Sequence, residues 1–289
     1  MFKGSYVALA TPFIDGKIDE KAFRKLIEFH IDNGTDGLVP CGCTGEAATL
    51  TIQEQKRLIK ITVEMSDKRL PVVAGTGSNS TSEAVELTGF AKKAGCDGAL
   101  IITPYYNKPT PEGQYRHYAE IAKNVDIPIM LYNVPSRTGI SLLPATVARL
   151  SKIDNITAIK EAAGSVQQVV DILSLCDITV MSGDDSMTLP FMSVGATGVV
   201  SVIANVVPDK IHDLTQAVID GKCSVARAIH YEIMDLCKVM FIETNPLPVK
   251  TALNMMGMIE KVWRLPLCEM EKDNEKKVRQ VLENHKLIS

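Results

Sequence analysis

Short apolar or β-branched runs alternate along this sequence with amphipathic stretches of helical length, and this alternation constrains the fold more than any other feature. Eight runs have the composition of buried strands, at residues 6–10, 37–40, 71–74, 99–103, 128–132, 157–160, 179–182 and 198–201. Strands separated by helices pair in parallel through right-handed crossovers. Eight such units predict a (β/α)8 TIM barrel.

Helix signals fill the intervals between these runs. Asp19, Thr51 with Glu54, and Ser80 with Glu83 carry the pattern of helix N-terminal caps. The predicted helices cover residues 19–33, 52–65, 82–94, 112–124, 144–150, 166–175, 188–194 and 208–220. A doubly wound open sheet is the alternative architecture, but no GxGxxG motif follows the first strand.

The strand signal stops after residue 221. Residues 224–242, 246–256 and 273–287 have helical patterns, which predicts a C-terminal helical extension on the barrel. We therefore expect a catalytic barrel at residues 1–222 and a helical extension at 223–289. No linker rich in glycine or serine separates the two.

Composition limits the classes of binding partner and the cellular compartment that we expect for this protein. With 31 basic and 34 acidic residues, the chain has a formal net charge of −3 and no basic block. Nucleic acid and anionic membranes are therefore poor candidate partners. No apolar run approaches the ~18 residues that span a bilayer. Seven scattered cysteines without a CxxC pair predict a reduced, cytoplasmic protein rather than a disulfide framework.

Two predicted strand ends carry candidate catalytic groups, which in such barrels lie at the carboxyl ends of strands. Lys160 ends the sixth strand, and alternation places it on one face with Ile156 and Ala158. If that face is the barrel interior, burial lowers the pKa of the amine and suits it to Schiff-base formation with a ketone. Tyr132 ends the fifth strand, where its phenol could transfer protons. A snorkelling lysine and a core tyrosine are the alternative interpretations.

The loops after the strands offer further binding groups. Arg137 suits a bidentate grip on a carboxylate, and the turn at 42–45 presents backbone N–H groups to a small anion. Asp184 and Asp185 have no histidine or third carboxylate nearby, so a capping or solvated pair is favoured over a metal site. Zinc chemistry lacks its usual ligands because all five histidines fall in helical stretches: His30, His117, His212, His230 and His285.

Six segments occur in order over essentially the whole chain. They are G-C-T-G-E at 42–46, Y-Y-N-K-P at 105–109, Y-N-V-P-S-R-T-G at 132–139, I-K-E-A at 159–162, S-G-D-D at 182–185 and E-T-N-P-L-P-V-K at 243–250. In these segments the sequence resembles the dihydrodipicolinate synthase family, a branch of the pyruvate-dependent class I aldolases that include N-acetylneuraminate lyase. Arg137 in its S-R-T-G context resembles the synthase branch, because the lyases generally lack this arginine.

The resemblance implies a lyase that needs no metal or organic cofactor. Pyruvate would form a Schiff base on Lys160 and, as the enamine, add to aspartate β-semialdehyde. Cyclisation would give 4-hydroxy-tetrahydrodipicolinate for lysine and diaminopimelate biosynthesis. The resemblance also implies a homotetramer built as a dimer of tight dimers.

The same resemblance assigns roles to binding residues. The backbone N–H groups of Cys43 and Thr44 would bind the pyruvate carboxylate, and Arg137 would bind that of the semialdehyde. Main-chain groups at Gly183 and Val200 would line the site.

The proton relay departs from the family pattern. Tyr132 would be the acid–base residue, linked through residue 43 to Tyr106, which in family members reaches in from a neighbouring subunit. The family has a threonine where this chain has Cys43, and a thiol is the weaker donor and acceptor. We expect Schiff-base formation to survive and turnover to be lower than with threonine.

A second departure concerns feedback inhibition. Lysine-inhibited members use polar residues, often serine and histidine, where this chain has Ala47, Ile52 and Gln55. This leaves a degenerate lysine site with fewer polar partners, and we expect weak or absent inhibition. The positions that still match are Asn79, Glu83 and Tyr105.

Three other functions stay open on the sequence. An aldolase acting on a sugar acid is the nearest, and Arg137 argues against it. Cys43 makes a non-catalytic barrel conceivable, one that binds a keto acid or has a structural or regulatory role. A phosphate-binding barrel enzyme would need basic residues beside Gly183 and residues 195–198, and none accompanies them.

Overall fold

In the computed structural model, which describes residues 2–289, eight parallel strands form a barrel. They are β1 (Gly4–Ala8), β2 (Gly37–Val39), β3 (Val73–Gly75), β4 (Gly98–Ile102), β5 (Ile129–Asn133), β6 (Ile156–Glu161), β7 (Thr179–Ser182) and β8 (Gly198–Ser201). They pair in the order β2-β1-β8-β7-β6-β5-β4-β3, and a parallel bridge between Leu38 and Val72 joins the two ends. The predicted (β/α)8 barrel is confirmed.

Helices alternate with the strands and continue beyond them. They are α1 (Glu20–Asp32), α2 (Ile52–Ser66), α3 (Thr81–Ala94), α4 (Pro111–Asn124), α5 (Pro135–Thr138), α6 (Pro144–Leu150), α7 (Val166–Leu175), α8 (Thr188–Ser193), α9 (Pro208–Ile219), α10 (Cys223–Glu232), α11 (Met234–Val239), α12 (Leu247–Met255) and α13 (Lys272–Asn284). The predicted helix at 224–242 is two helices, α10 and α11. A hairpin of Phe13–Ile14 and Lys17–Ile18 follows β1 and was not predicted from the sequence.

The strands separate two apolar layers, because successive side chains point to opposite faces. The larger layer lies between the sheet and its helices, and it includes Ala226, Leu236, Val249 and Val278 from α10–α13. The smaller layer fills the barrel interior with Tyr6, Ala8, Val39, Val73, Leu100, Met130, Tyr132, Ala158, Met181 and Val200. Since the C-terminal helices share the outer layer, the division at residue 222 stays a prediction.

The strand β6 contains a bulge that corrects one prediction. Pairing with β5 passes directly from Ile156 to Ala158, so Thr157 is the extra residue of a β-bulge. Ala158 belongs to the interior cluster, whereas Ile156 belongs to the outer one. The expectation that Ile156 shares a face with Lys160 was therefore wrong, because the bulge interrupts the alternation.

Two of the three predicted helix caps are confirmed. The Asp19 side chain accepts a hydrogen bond from the first turn of α1, and Thr51 and Glu54 form a reciprocal capping box at the start of α2.

No helix within residues 2–289 combines the length and the apolar character that crossing a membrane requires.

The third predicted cap was wrong. Ser80 precedes α3, but its hydroxyl makes no capping hydrogen bond and contacts Ser82 instead. Glu83 accepts a hydrogen bond from the hydroxyl of Ser78, so its carboxylate is turned toward the loop. The tertiary position of that loop overrides the local cap pattern.

The capping box predicts unequal effects of two similar substitutions. Thr51→Ala should lower the free energy of unfolding by about 1 kcal/mol, because it leaves the Glu54 N–H of α2 without its capping partner. Ser80→Ala is the matched control, since its hydroxyl caps nothing, and it should change stability by less than about 0.5 kcal/mol. Urea unfolding followed by circular dichroism measures both, and equal losses would contradict the assignment.

Candidate active site

A cavity of about 360 Å³ opens at the carboxyl ends of the barrel strands. Ala8 and Val39 contribute from β1 and β2, and loops after other strands complete the wall. Six of the residues singled out in the sequence line it together: Cys43, Thr44, Tyr132, Arg137, Lys160 and Gly183.

Lys160 projects into this cavity from the end of β6. It is 4% exposed, and its Nζ lies 4.5 Å from the centroid of the Tyr132 ring. Burial lowers the pKa of Lys160 to about 8, while Cys43 and Asp185 raise it by a smaller amount. The amine is therefore unprotonated in a useful fraction of molecules at neutral pH, as a nucleophile requires.

Tyr132 lies opposite Lys160 because β5 and β6 pair in that register. Burial raises the pKa of the phenol well above its usual value, and the adjacent Cys43 thiol raises it further. The phenol therefore stays protonated at neutral pH. A protonated phenol beside a neutral amine can donate a proton as the amine attacks a carbonyl group.

Of the aspartate pair after β7, Asp184 caps a turn as the capping interpretation predicts, and it also lines the cavity, whereas Asp185 is not solvated. The Asp184 carboxylate caps the turn that begins at Asp185 by accepting the Ser186 N–H. Asp185 is buried, and burial raises the pKa of its carboxyl to about 6 although Ser201 and the N–H of Val202 donate hydrogen bonds to it. Among residues 2–289, no group of three or more His, Cys, Asp or Glu side chains is placed to hold a metal ion.

Asn245, for which the sequence predicts no role, joins two binding elements. Its Nδ2 donates to the Thr44 hydroxyl over 3.0 Å, and its backbone carbonyl accepts from the Arg137 guanidinium over 2.8 Å. Asn245 also lines the cavity. The only signal in the sequence was its place in the segment at 243–250.

Two expected site residues lie outside the cavity. Tyr106 follows β4 and is 89% exposed, with a left-handed φ of 69°. Val200 is fully buried in the apolar interior of the barrel, whereas Val202 lines the cavity. Within one chain, the structure thus brings neither Tyr106 nor Val200 to the cavity wall.

A second cavity of about 470 Å³ lies next to the first and shares Cys43 and Tyr132 with it. Of the three positions expected to match a lysine site, Glu83 and Tyr105 line this cavity and Asn79 does not. The backbone carbonyl of Asn79 accepts a hydrogen bond from the Asn107 side chain. The three positions where lysine-inhibited members often have serine or histidine also line this cavity, and here they are Ala47, Ile52 and Gln55.

The fold and the site together define a class of protein. A buried lysine with a lowered pKa ends one barrel strand, and a protonated tyrosine ends the neighbouring strand. N–H groups and an arginine in the same cavity suit carboxylate groups. This is the arrangement of a barrel enzyme that forms Schiff bases with small keto acids.

Comparison with known proteins gives the family. Residues 1–285 match the model of the dihydrodipicolinate synthetase family. The 4-hydroxy-tetrahydrodipicolinate synthases of Thermodesulfovibrio yellowstonii and Geobacter sulfurreducens are 55% and 53% identical over the full length of both chains. The crystal structure of dihydrodipicolinate synthase from Aquifex aeolicus matches with a TM-score of 0.98 and 50% identity over 99% of each chain. The chain belongs to the dihydrodipicolinate synthetase family.

Proposed function

We propose that this enzyme condenses pyruvate with aspartate β-semialdehyde to give 4-hydroxy-tetrahydrodipicolinate in lysine and diaminopimelate biosynthesis. The observation that carries the proposal is Lys160, a buried amine with a pKa of about 8 facing Tyr132 at the end of the barrel. The family membership supports the same reaction.

The first step is attack of the neutral Lys160 amine on the ketone carbon of pyruvate. With a pKa of about 8, roughly a tenth of the amine is unprotonated at pH 7. The resulting carbinolamine loses its hydroxyl group as water, and Tyr132 supplies the proton for that departure. The product is a protonated imine, and no metal or organic cofactor takes part.

The protonated imine then acts as the electron sink for carbon–carbon bond formation. Loss of a proton from the pyruvate methyl group gives an enamine, and Tyr132 can accept that proton once it is ionised. The enamine carbon adds to the aldehyde carbon of the semialdehyde, the C=O π bond breaks, and the new alkoxide takes from Tyr132 the proton that came from the methyl group. The amino group of the semialdehyde then attacks the imine carbon, closes the ring and releases the Lys160 amine.

Two carboxylate sites orient the substrates in this proposal. The N–H groups of Cys43 and Thr44 receive the carboxylate of pyruvate, next to the Lys160 amine. Arg137 receives the carboxylate of the semialdehyde. One Arg137 amino group is already committed to the carbonyl of Asn245, which fixes the direction of the guanidinium.

The proposal includes a cytoplasmic homotetramer, built as a dimer of tight dimers. In that assembly Tyr106 would enter the active site of a neighbouring subunit and extend the relay from Tyr132 through Cys43. The 89% exposure of the Tyr106 side chain and its left-handed backbone support this role, because they present the ring outward from its own chain. Gly183 would contribute main-chain groups in the cavity wall. Val200 would add its own from strand β8, two residues before the lining residue Val202.

Trapping with borohydride tests the central step. Incubation with pyruvate and sodium borohydride should place a reduced adduct on Lys160, identified by peptide mass spectrometry. The initial rate of adduct formation should increase with pH and level off above about pH 8, because the neutral amine reacts. Lys160→Arg should give no adduct, and an adduct on another lysine, or none in the wild type, would refute the proposal.

Turnover with different aldehydes separates this function from that of other aldolases. Condensation of pyruvate with aspartate β-semialdehyde should proceed, while cleavage of sialic acid or keto-deoxy sugar acids should not. An enzyme that formed the Lys160 adduct but preferred a sugar acid would contradict the role given to Arg137.

Replacing the thiol of the relay should raise turnover. Cys43→Thr restores a hydroxyl, which donates and accepts hydrogen bonds more strongly than a thiol. A lowering of the activation free energy by about 1 kcal/mol corresponds to a roughly fivefold higher kcat. Borohydride trapping should be unchanged, because the Lys160 amine is intact. Cys268→Thr, at an exposed cysteine, is the control. Equal kcat values for the wild type and Cys43→Thr would contradict the relay role of residue 43.

Lysine should inhibit weakly or not at all. The second cavity presents the apolar Ala47 and Ile52 where a bound amino acid would need polar partners, and the Gln55 amide already donates to the backbone carbonyls of Ala47 and Leu50. The combined change Ala47→Ser, Ile52→His and Gln55→His should strengthen inhibition in steady-state assays. A micromolar inhibition constant for the unaltered enzyme would refute this expectation.

A further inference from the structure

The loop that carries the N–H groups of Cys43 and Thr44 is conformationally demanding. It begins at Cys41 and ends at Glu46, and these two residues have left-handed φ angles of 58° and 54°. Side chains other than glycine rarely adopt such angles, so surrounding contacts must hold them. Within the loop, the N–H of Glu46 donates to the carbonyl of Cys43 over 3.1 Å.

The strongest of the surrounding contacts is a buried ion pair. The Glu46 carboxylate accepts a hydrogen bond from the Lys250 ammonium on α12, and their side chains are 0% and 1% exposed. The Lys250 Nζ also lies 4.3 Å from the centroid of the Phe13 ring. Two charges removed from water in this way are held firmly only while both partners are present.

Other residues of the C-terminal segment hold the same loop. Asn245, just before α12, donates to the Thr44 hydroxyl. The backbone N–H of Arg264 donates to the second oxygen of Glu46 over 3.5 Å, and its guanidinium pairs with Glu54 at the start of α2. The loop after β2 is therefore fixed from outside the barrel.

We propose that Lys250 is a positioning residue, which acts through the Glu46 carboxylate to aim the N–H groups of Cys43 and Thr44 at the carboxylate of the keto-acid substrate. This role rests on the proposed function. Lys250 is absent from the walls of both cavities, whereas Glu46 lines the second and Cys43 and Thr44 line the first. Lys250 therefore touches no substrate and affects binding only through the loop.

The loss of Lys250 has a definite physical consequence. It removes the ion-pair partner of the buried Glu46 carboxylate and leaves only the guanidinium of Arg264, which is already paired with Glu54, as a nearby positive charge. A buried charge that has lost its direct partner is strongly unfavourable. Glu46 lines the second cavity, which gives the carboxylate a route toward solvent. Its movement releases the left-handed backbone at Glu46 and turns the adjoining N–H groups away from the substrate.

The test is a set of variants assayed for saturation by pyruvate. Lys250→Met should raise the half-saturating pyruvate concentration by up to about 100-fold, since displacements of about 1 Å have effects of that size. The KM for the semialdehyde should change much less, because Arg137 is held by Asn245 and not by Lys250. Lys250→Arg keeps a cation for Glu46 and should restore most of the pyruvate affinity.

A paired variant separates positioning from simple support of the fold. Glu46→Gln with Lys250→Met removes both charges, so thermal stability should recover relative to Lys250→Met while the half-saturating pyruvate concentration stays high. The paired variant also keeps the test available if Lys250→Met does not fold. Lys261→Met is the control, because Lys261 pairs with Glu275 in the same C-terminal segment without contacting the loop.

The outcomes are distinct. A normal half-saturating pyruvate concentration in the folded paired variant would overturn the positioning role, whatever its thermal stability. Absence of a Lys160 adduct in the wild-type enzyme would refute the proposed function instead. The expected result is a higher half-saturating concentration of pyruvate, but not of the semialdehyde, in Lys250→Met and in the paired variant. Lys250→Arg should bring the pyruvate value most of the way back to that of the wild type.

Discussion

Burial of the Lys160 amine is the constraint on which the active site depends. Moving the ammonium out of water lowers its pKa from 10.5 to about 8, which corresponds to on the order of 3 kcal/mol against the charged form. That penalty on folding is fully present below about pH 8 and falls as the pH rises toward the ordinary lysine value. The fold is therefore less stable by this amount at one strand end, and the buried amine is reactive at neutral pH as a result.

The parallel pairing of β5 and β6 sets the partners of that amine. Tyr132 stands opposite Lys160, and Asn133 stands opposite Glu161 in the next position. The Asn133 amide donates to both oxygens of the buried Glu161 carboxylate, over 3.0 and 2.9 Å. These side-chain contacts reinforce the register, and a slip of one residue in β6 would move Lys160 to the other face, away from Tyr132.

The C-terminal segment completes a site that the barrel alone leaves open. Asn245 connects the loop after β2 with Arg137 after β5, and Lys250 neutralises the buried Glu46 at the end of the same loop. The walls of the cavity also include Cys237 and Phe241. The segment after the last barrel strand is therefore part of the cavity wall as well as of the apolar core.

The sequence by itself determined the barrel and the main reactive groups of the cavity, since alternation and strand-end positions are local properties of the chain. Lys160, Tyr132 and Arg137 could be chosen because strand ends in such barrels meet at one rim. Only the tertiary structure decided the bulge that turns Ile156 outward and the tethers of Asn245 and Lys250, whose hydrogen-bonded partners are 201 and 204 residues away. Local periodicity carries no information about such distant pairs, because packing of the whole chain selects them.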